Sequence, residues 1–164
     1  MQGVGVIVLS LCDRSCRAVM PWAEAGYKCI CVDVEAGDSP HPNIETVRAD
    51  LRWWLPPRGE YAFAMAWPPC THLAVSGARW FADKGLSALV EGLELVERCR
   101  AICDWLGCPW MLENPVGVLG SYWRAPDYTF NPNEFAGYLD EPDDEAYTKK
   151  TCLWVGGGLS DAAA

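Results

Sequence analysis

Apolar positions along the chain fall into short unbroken runs and one long stretch of helical period. That pattern predicts strands alternating with helices. "GVIVLSL" (Gly5 to Leu11) is β-branched and short, as a strand covered on both faces would be. Residues 17–25 allow about two helical turns before Gly26, a natural C-terminal cap. "KCICVDVE" (Lys28 to Glu35) reads as a second buried strand ending in carboxylates. Strand, helix and strand in this order form a βαβ unit, parallel and right-handed. A Pro-rich link, "AGDSPHPN", follows, and "VRADLRWW" carries a short strand or turn around Asp50. "YAFAMAW" (Tyr61 to Trp67) predicts a central strand, stopped by Pro68 and Pro69, which lack ladder donors. From Gly85 to Leu106, Leu86, Leu89, Val90, Leu93, Val96, Ile102 and Leu106 recur at helical spacing, the longest helix expected. "PWMLEN" is a strand ending at Glu113 and Asn114, and "TCLWVGG" is the last one. Residues 116–148 carry no strong period and read as an irregular loop insert, and 159–164 as a tail. The expected fold is a single α/β domain over 1–164, a mostly parallel sheet flanked by helices.

Composition narrows the class. The chain is 51% apolar and 21% charged, which is globular rather than disordered. No apolar run reaches membrane-span length, so no membrane partner is expected. "MQGVGVIVLSLCDRSC" lacks a basic leader and meets Asp13 and Arg14 early, so it reads as a buried strand rather than a signal peptide. Nine cysteines, an odd number without framework spacing, point to reduced thiols and a cytoplasmic setting. The net charge of −9 repels phosphate backbones and argues against tight duplex binding. A good part of that excess sits in "NEFAGYLDEPDDEAY" (Asn133 to Tyr147), expected as a solvated loop.

Ligands of parallel sheets bind at the carboxyl ends of the strands. Those ends carry Cys12 and Asp13, Asp33 and Glu35, Asp50, Cys70, and Glu113 with Asn114. Cys70 follows Pro68 and Pro69 on a stiff backbone, so it is either a nucleophile or one more small apolar filler. His72 either helps to lower its pKa or points elsewhere. Cys99 and Cys103, with Cys108 beyond, lack the fourth partner that zinc requires, so helix packing is expected and no metal. Cys29 and Cys31 share one strand face and belong to the core. Most of the tryptophans at 53, 54, 67, 80, 105, 110, 123 and 154 are also expected there.

The order of first loop, acidic strand end, Asp50, "WPPCTH" and "ENP" resembles the DNA cytosine-5 methyltransferases, and most closely their short, phage-type members. Cys70 and Glu113 stand 43 positions apart, an ordinary gap for that family. "NPNEFAGY" and "YTKKTCLWVGG" also resemble those short members. The resemblance implies a Rossmann-like, class I methyltransferase domain that uses S-adenosyl-L-methionine. It implies Cys70 as the thiolate that adds to cytosine C6, a covalent step that activates C5. It further implies Glu113 as the acid near N3, with Asn114 shaping the loop. A buried carboxyl group keeps its proton more readily near neutral pH, as that role needs.

On the cofactor side the resemblance implies Asp13, Asp33, Glu35, Asp50 and Leu51. The ribose falls to Asp33 or Glu35, the adenine amino group to Asp50, and the ring lies between Leu51 and Val34. Substrate contacts fall to Pro69, His72 and Lys150, with Lys149 the alternative to Lys150. The partner implied is a cytosine-containing nucleic acid or a free cytosine nucleotide, in the host cytoplasm if the chain is phage-encoded.

Two features depart from the family. The first loop, "SLCDRSCRA", holds no glycine, whereas close approach and positive φ favour glycine there. The chain also has no room for a separate target-recognition domain, so low-specificity or single-stranded DNA, or a free nucleotide, suits it, with a protein partner supplying any DNA targeting. Within 116–148, Tyr122, Trp123, Arg124 and Tyr128 either stack on a base or pack internally. The other class of reading is a catalytically silent relative that binds nucleotide, nucleic acid or a host protein.

Overall fold

The computed structural model describes residues 6–134 and 149–159, with the backbone alone at 77–79. The acidic run beyond Glu134 and the tail beyond Leu159 lie outside the described residues. In chain order the elements are β1 (Ile7–Leu11), α1 (Met20–Glu24), β2 (Lys28–Asp33), β3 (Ile44–Arg48) and β4 (Tyr61–Ala66). Then come α2 (Phe81–Leu106), β5 (Trp110–Pro115), α3 (Leu119–Tyr122), β6 (Tyr128–Phe130) and β7 (Thr151–Gly156). The sheet order is β3-β2-β1-β4-β5-β7-β6. β1 pairs in parallel with β2 and β4, β2 with β3, and β4 with β5. Among these pairings only that of β6 with β7 is antiparallel. The mostly parallel α/β sheet is the one expected. Around Asp50 the expected strand or turn resolves into both, with β3 ending before a turn in which Trp53 and Trp54 donate to the Asp50 carbonyl. No helix among the described residues is long and apolar enough to cross a membrane.

The chain forms two compact units. One comprises Met1–Pro68, Leu93–Leu112 and Val155–Ala164, and the other Pro69–Gly92 and Glu113–Trp154. The first unit holds the strand-order switch between β1 and β4, where a crevice opens at the strand ends. Every residue of β1 is buried, as its β-branched run requires. Val8, Val19, Ala23, Cys29, Cys31, Ile44 and Met65 form its core, so Cys29 and Cys31 pack as expected. Val96, Cys99 and Cys103 on α2 are buried at helical spacing. Arg98, in the same stretch, donates Nε to the Leu51 carbonyl at 2.7 Å and Nη2 to the Trp54 carbonyl at 3.0 Å, which pins the turn after β3.

In the second unit, α2 begins with a break: Gly85 takes φ 73° and ψ −179°, outside the helical region. The apolar period continues through Leu86 and Val90, but they are 80% and 62% exposed, so the buried stripe starts later than the spacing predicts. The tryptophans need a similar correction. Trp110 and Trp154 are buried, but Trp53, Trp80 and Trp105 are exposed by half or more.

Candidate functional site

In the first unit the loop after β1 takes the left-handed backbone that glycine favours, without glycine. Cys12 and Cys16 both take left-handed backbone, φ 56° and 57°. Such a conformation costs a side-chain-bearing residue about 1–2 kcal/mol. The compensation comes from Asp13, which is 7% exposed. Its Oδ2 accepts Ser10 Oγ at 2.9 Å, and its Oδ1 accepts the Cys16 amide at 2.8 Å and Ser15 Oγ at 3.2 Å. Cys16 is buried in the core and anchors the far end of the loop. Ser10, fully buried on β1, also accepts Trp67 Nε1 at 3.1 Å and so joins the ends of β1 and β4. The result is an open recess of about 370 Å³, lined by Cys12, Asp13, Arg14, Ser15, Arg17, Ala18 and Trp67. Asp13, expected to meet a cofactor, has both oxygens engaged in building the loop.

The other acidic strand ends of this unit are placed as follows. Asp33 uses Oδ1 to accept the Glu35 amide at 2.8 Å, and its Oδ2 takes no hydrogen bond among the described residues. Glu35 is exposed and paired with Arg14 at 3.0 Å. Val34, between them, is 58% exposed. Asp50 is held by Arg52 through both oxygens at 2.7–3.0 Å, and those contacts lower its pKa from the ordinary carboxylate value. Leu51 is 2% exposed. Its side chain is therefore buried, whereas Val34, expected to face the same ring, is exposed.

The second unit gathers Pro69, Cys70, His72, Glu113, Asn114 and Lys150. Cys70 is half-buried, after an exposed Pro69. Its carbonyl accepts the amides of Leu73 and Ala74, both at 2.9 Å, which closes one tight turn. The segments that follow Cys70 and Glu113 are then stitched together. The Val75 amide donates to the Val116 carbonyl at 2.9 Å, and the Val118 amide to the Leu73 carbonyl at 3.0 Å, around an Ala74–Gly117 bridge. A Cβ on Gly117 would stand 2.0 Å from the Leu73 carbonyl oxygen, so the approach requires glycine. The Val116 amide also meets the Lys150 carbonyl at 3.3 Å.

Glu113 is half-buried and Asn114 fully buried at the end of β5. Burial raises the Glu113 pKa above the usual carboxylate range, and the nearby Lys149 charge partly offsets it. Of the two alternative lysines, Lys149 is thus the one whose charge acts on Glu113. Lys150 acts on the buried Cys152, lowering a thiol pKa that burial raises. His72 lines a separate recess of about 340 Å³ with Phe81, Lys84, Leu86, Val118 and Tyr122, a lining without Cys70, Glu113 or Asn114. Its Nδ1 is buried with no hydrogen-bond partner among the described residues.

The aromatic cluster divides. Trp123 stacks on Trp154 with centroids 5.7 Å apart, under the Arg124 guanidinium at 4.9 Å. Trp154 is buried and Trp123 half-buried, whereas Tyr122 and Tyr128 remain exposed. Sequence reasoning missed Gly117, Ser10 and Arg98. The legible signals were a glycine just after "ENPV", a lone hydroxyl inside a fully apolar strand, and an arginine inside the buried stretch of a helix.

No family model and no curated protein matches the sequence. Solved structures do. A presumed methyltransferase from Thermoplasma acidophilum superposes with a TM-score of 0.50 over 92% of this chain at 10% identity. The CcbJ methyltransferase from Streptomyces caelestis gives 0.41 over 77% at 14% identity. The magnesium protoporphyrin IX methyltransferase from Synechocystis, solved with bound SAH, gives 0.43 over 92% at 13% identity. This chain spans 66%, 49% and 74% of those three chains. Strand order and the first of these superpositions together define the fold as Rossmann-like, of the class I methyltransferase type.

Proposed function

We propose that this chain is an S-adenosyl-L-methionine-dependent methyltransferase acting at C5 of a cytosine, through a covalent bond between Cys70 and C6. The observation that carries the proposal is the backbone stitch in the second unit. It fixes the Cys70 turn against the segment that follows Glu113, and the sequence resemblance assigns chemistry to those two residues. The Cys70 thiolate adds to C6, and the electron pair displaced from the C5–C6 bond makes C5 nucleophilic. Glu113, whose proton is favoured by burial, donates to N3 as charge develops there. Asn114 and Pro115 hold that carboxyl group in place from the buried end of β5. Lys149 supplies positive charge beside it. Loss of the C5 proton to water then lets the C6–S bond break and frees the thiol.

The cofactor supplies an electrophilic methyl group when bound. The first unit fits such a molecule: its loop has left-handed backbone at Cys12 and Cys16 and borders an open recess. Asp33, with Oδ2 unengaged, is the residue for a ribose hydroxyl, because Glu35 is committed to Arg14. Val34 offers the exposed apolar surface for a purine. The substrates that suit the net charge are single-stranded or low-specificity DNA, or a free cytosine nucleotide.

The engagement of Asp50 by Arg52 and of Glu35 by Arg14 favours a second reading, a catalytically silent relative that binds nucleotide or nucleic acid. One experiment separates the two. Calorimetry with S-adenosylhomocysteine, with Asp33→Ala as control, is followed by incubation with S-adenosylmethionine and a 5-fluorocytosine oligonucleotide or nucleotide. Micromolar binding lost in the variant, with a stable adduct mapped to Cys70, supports the enzyme. No binding at millimolar ligand and no adduct overturns it and leaves the silent relative.

A further inference from the structure

The first loop holds a second reactive feature that the proposed methyl transfer does not use. Cys12 Sγ lies 3.9 Å from Cys99 Sγ, across 87 positions of sequence. Both belong to the first unit. Cys12 is half-exposed and lines the loop recess, so a small oxidant reaches it from solvent. Cys99 is fully buried on α2. The Cys12 amide donates to the Val32 carbonyl at 2.8 Å, which ties the start of the loop to β2.

We propose that Cys12 and Cys99 form an oxidisable dithiol that takes a low-molecular-weight disulfide as its co-reactant and ties the first loop to α2. The Cys12 thiolate attacks one sulfur of oxidised glutathione, forming a mixed disulfide and expelling one glutathione thiolate. The Cys99 thiol loses its proton to that thiolate or to water and attacks the Cys12 sulfur, expelling the second glutathione. Two protein thiols are oxidised, one disulfide is reduced, and two glutathione molecules leave. The sulfurs must close from 3.9 Å to a bond of about 2.05 Å, a movement within reach of side-chain rotation and a small loop shift. The hydrogen bond to Cys12 and burial raise the Cys99 pKa well above the ordinary thiol value, which slows the second step.

Its structural consequence follows from Cys12 bordering the recess. A sulfur drawn to α2 changes the loop that the proposed cofactor needs, and this coupling rests on the methyltransferase reading, whereas the disulfide itself does not. The test uses the full chain in a Cys70→Ala background, which removes the other half-exposed thiol. The protein is treated with oxidised glutathione, alkylated, and mapped by peptide mass spectrometry. Expected is a Cys12–Cys99 cross-link with two hydrogens lost, absent in Cys12→Ser, while Cys99→Ser stops at glutathione on Cys12. Cys12 and Cys99 both recovered as separate alkylated thiols, or Cys12 linked to another cysteine, overturns the proposal. Cys12→Ser changes a half-exposed side chain and keeps the test informative if Cys99→Ser does not fold. S-adenosylhomocysteine affinity should fall at least about tenfold on oxidation and return with dithiothreitol. Unchanged affinity overturns the coupling. A reduced protein that binds no S-adenosylhomocysteine sinks the cofactor reading and leaves the cross-link map to judge the dithiol alone.

Discussion

Two cysteines stand at the carboxyl ends of neighbouring strands, Cys12 after β1 and Cys70 after β4, and they are held by opposite means. The Cys12 loop is held by side chains. One buried carboxylate, Asp13, collects two hydroxyls and an amide and so keeps two non-glycine residues in left-handed backbone. The Cys70 turn is held by backbone. Pro68 and Pro69 stiffen its entry, and the exit is laddered to the segment that follows Glu113. A loop stabilised by one carboxylate is vulnerable to one substitution. A turn stabilised by a ladder is vulnerable where the ladder needs close approach, which is Gly117.

The largest effect should come from the thiol itself. Cys70→Ala should lower turnover by at least about 10³-fold and abolish the 5-fluorocytosine adduct. Its melting temperature should barely move, because the side chain is half-exposed; a large drop would show that the thiol is structural.

Glu113→Gln should reduce the rate by about 10²–10⁴-fold. It should also raise stability near neutral pH, and the sign follows from the raised pKa. The folded carboxyl group retains its proton where the unfolded one has already lost it, so the native state of the wild type loses stability as pH rises from the ordinary carboxylate range through the raised value. Thermal melts across pH should show the variant's advantage above that window and none below it. An advantage at low pH instead would contradict the buried acid.

Two substitutions then separate the scaffolds. Asp13→Ala should destabilise the protein by about 1–3 kcal/mol in chemical denaturation, because the amide and hydroxyls of the loop lose their acceptor. It should weaken S-adenosylhomocysteine binding as well. Gly117→Ala should cost about 1–3 kcal/mol through overpacking against Leu73. It should leave S-adenosylhomocysteine binding intact while lowering adduct formation. If both variants affected both readouts equally, the contrast between the two scaffolds would fail.

The smallest effect is the most diagnostic of the first loop. Cys12→Gly relieves left-handed strain but frees the unfolded chain, for a net stabilisation of about 0.5 kcal/mol. Loss of stability in that variant would show that the thiol, rather than the backbone, holds the loop.

The sequence by itself determined the order of elements, because unbroken β-branched runs and a helical period report burial directly. It also determined which chemistry stands at the strand ends, because strand direction decides where Cys70, Glu113 and Asp33 emerge. Only the tertiary structure decided which of those groups remain available. Glu35 looked equivalent to Asp33 for the ribose and Asp50 was expected at the adenine, but Arg14 and Arg52 engage them through space, and Leu51 is buried. Nor did the sequence show that a glycine-free loop takes a glycine-like path. That depends on a carboxylate satisfying three donors at once, with the next cysteine packed in the core. Periodicity reports which face of an element is apolar. It carries no record of which polar groups meet across a turn, and in this protein those meetings shape the site.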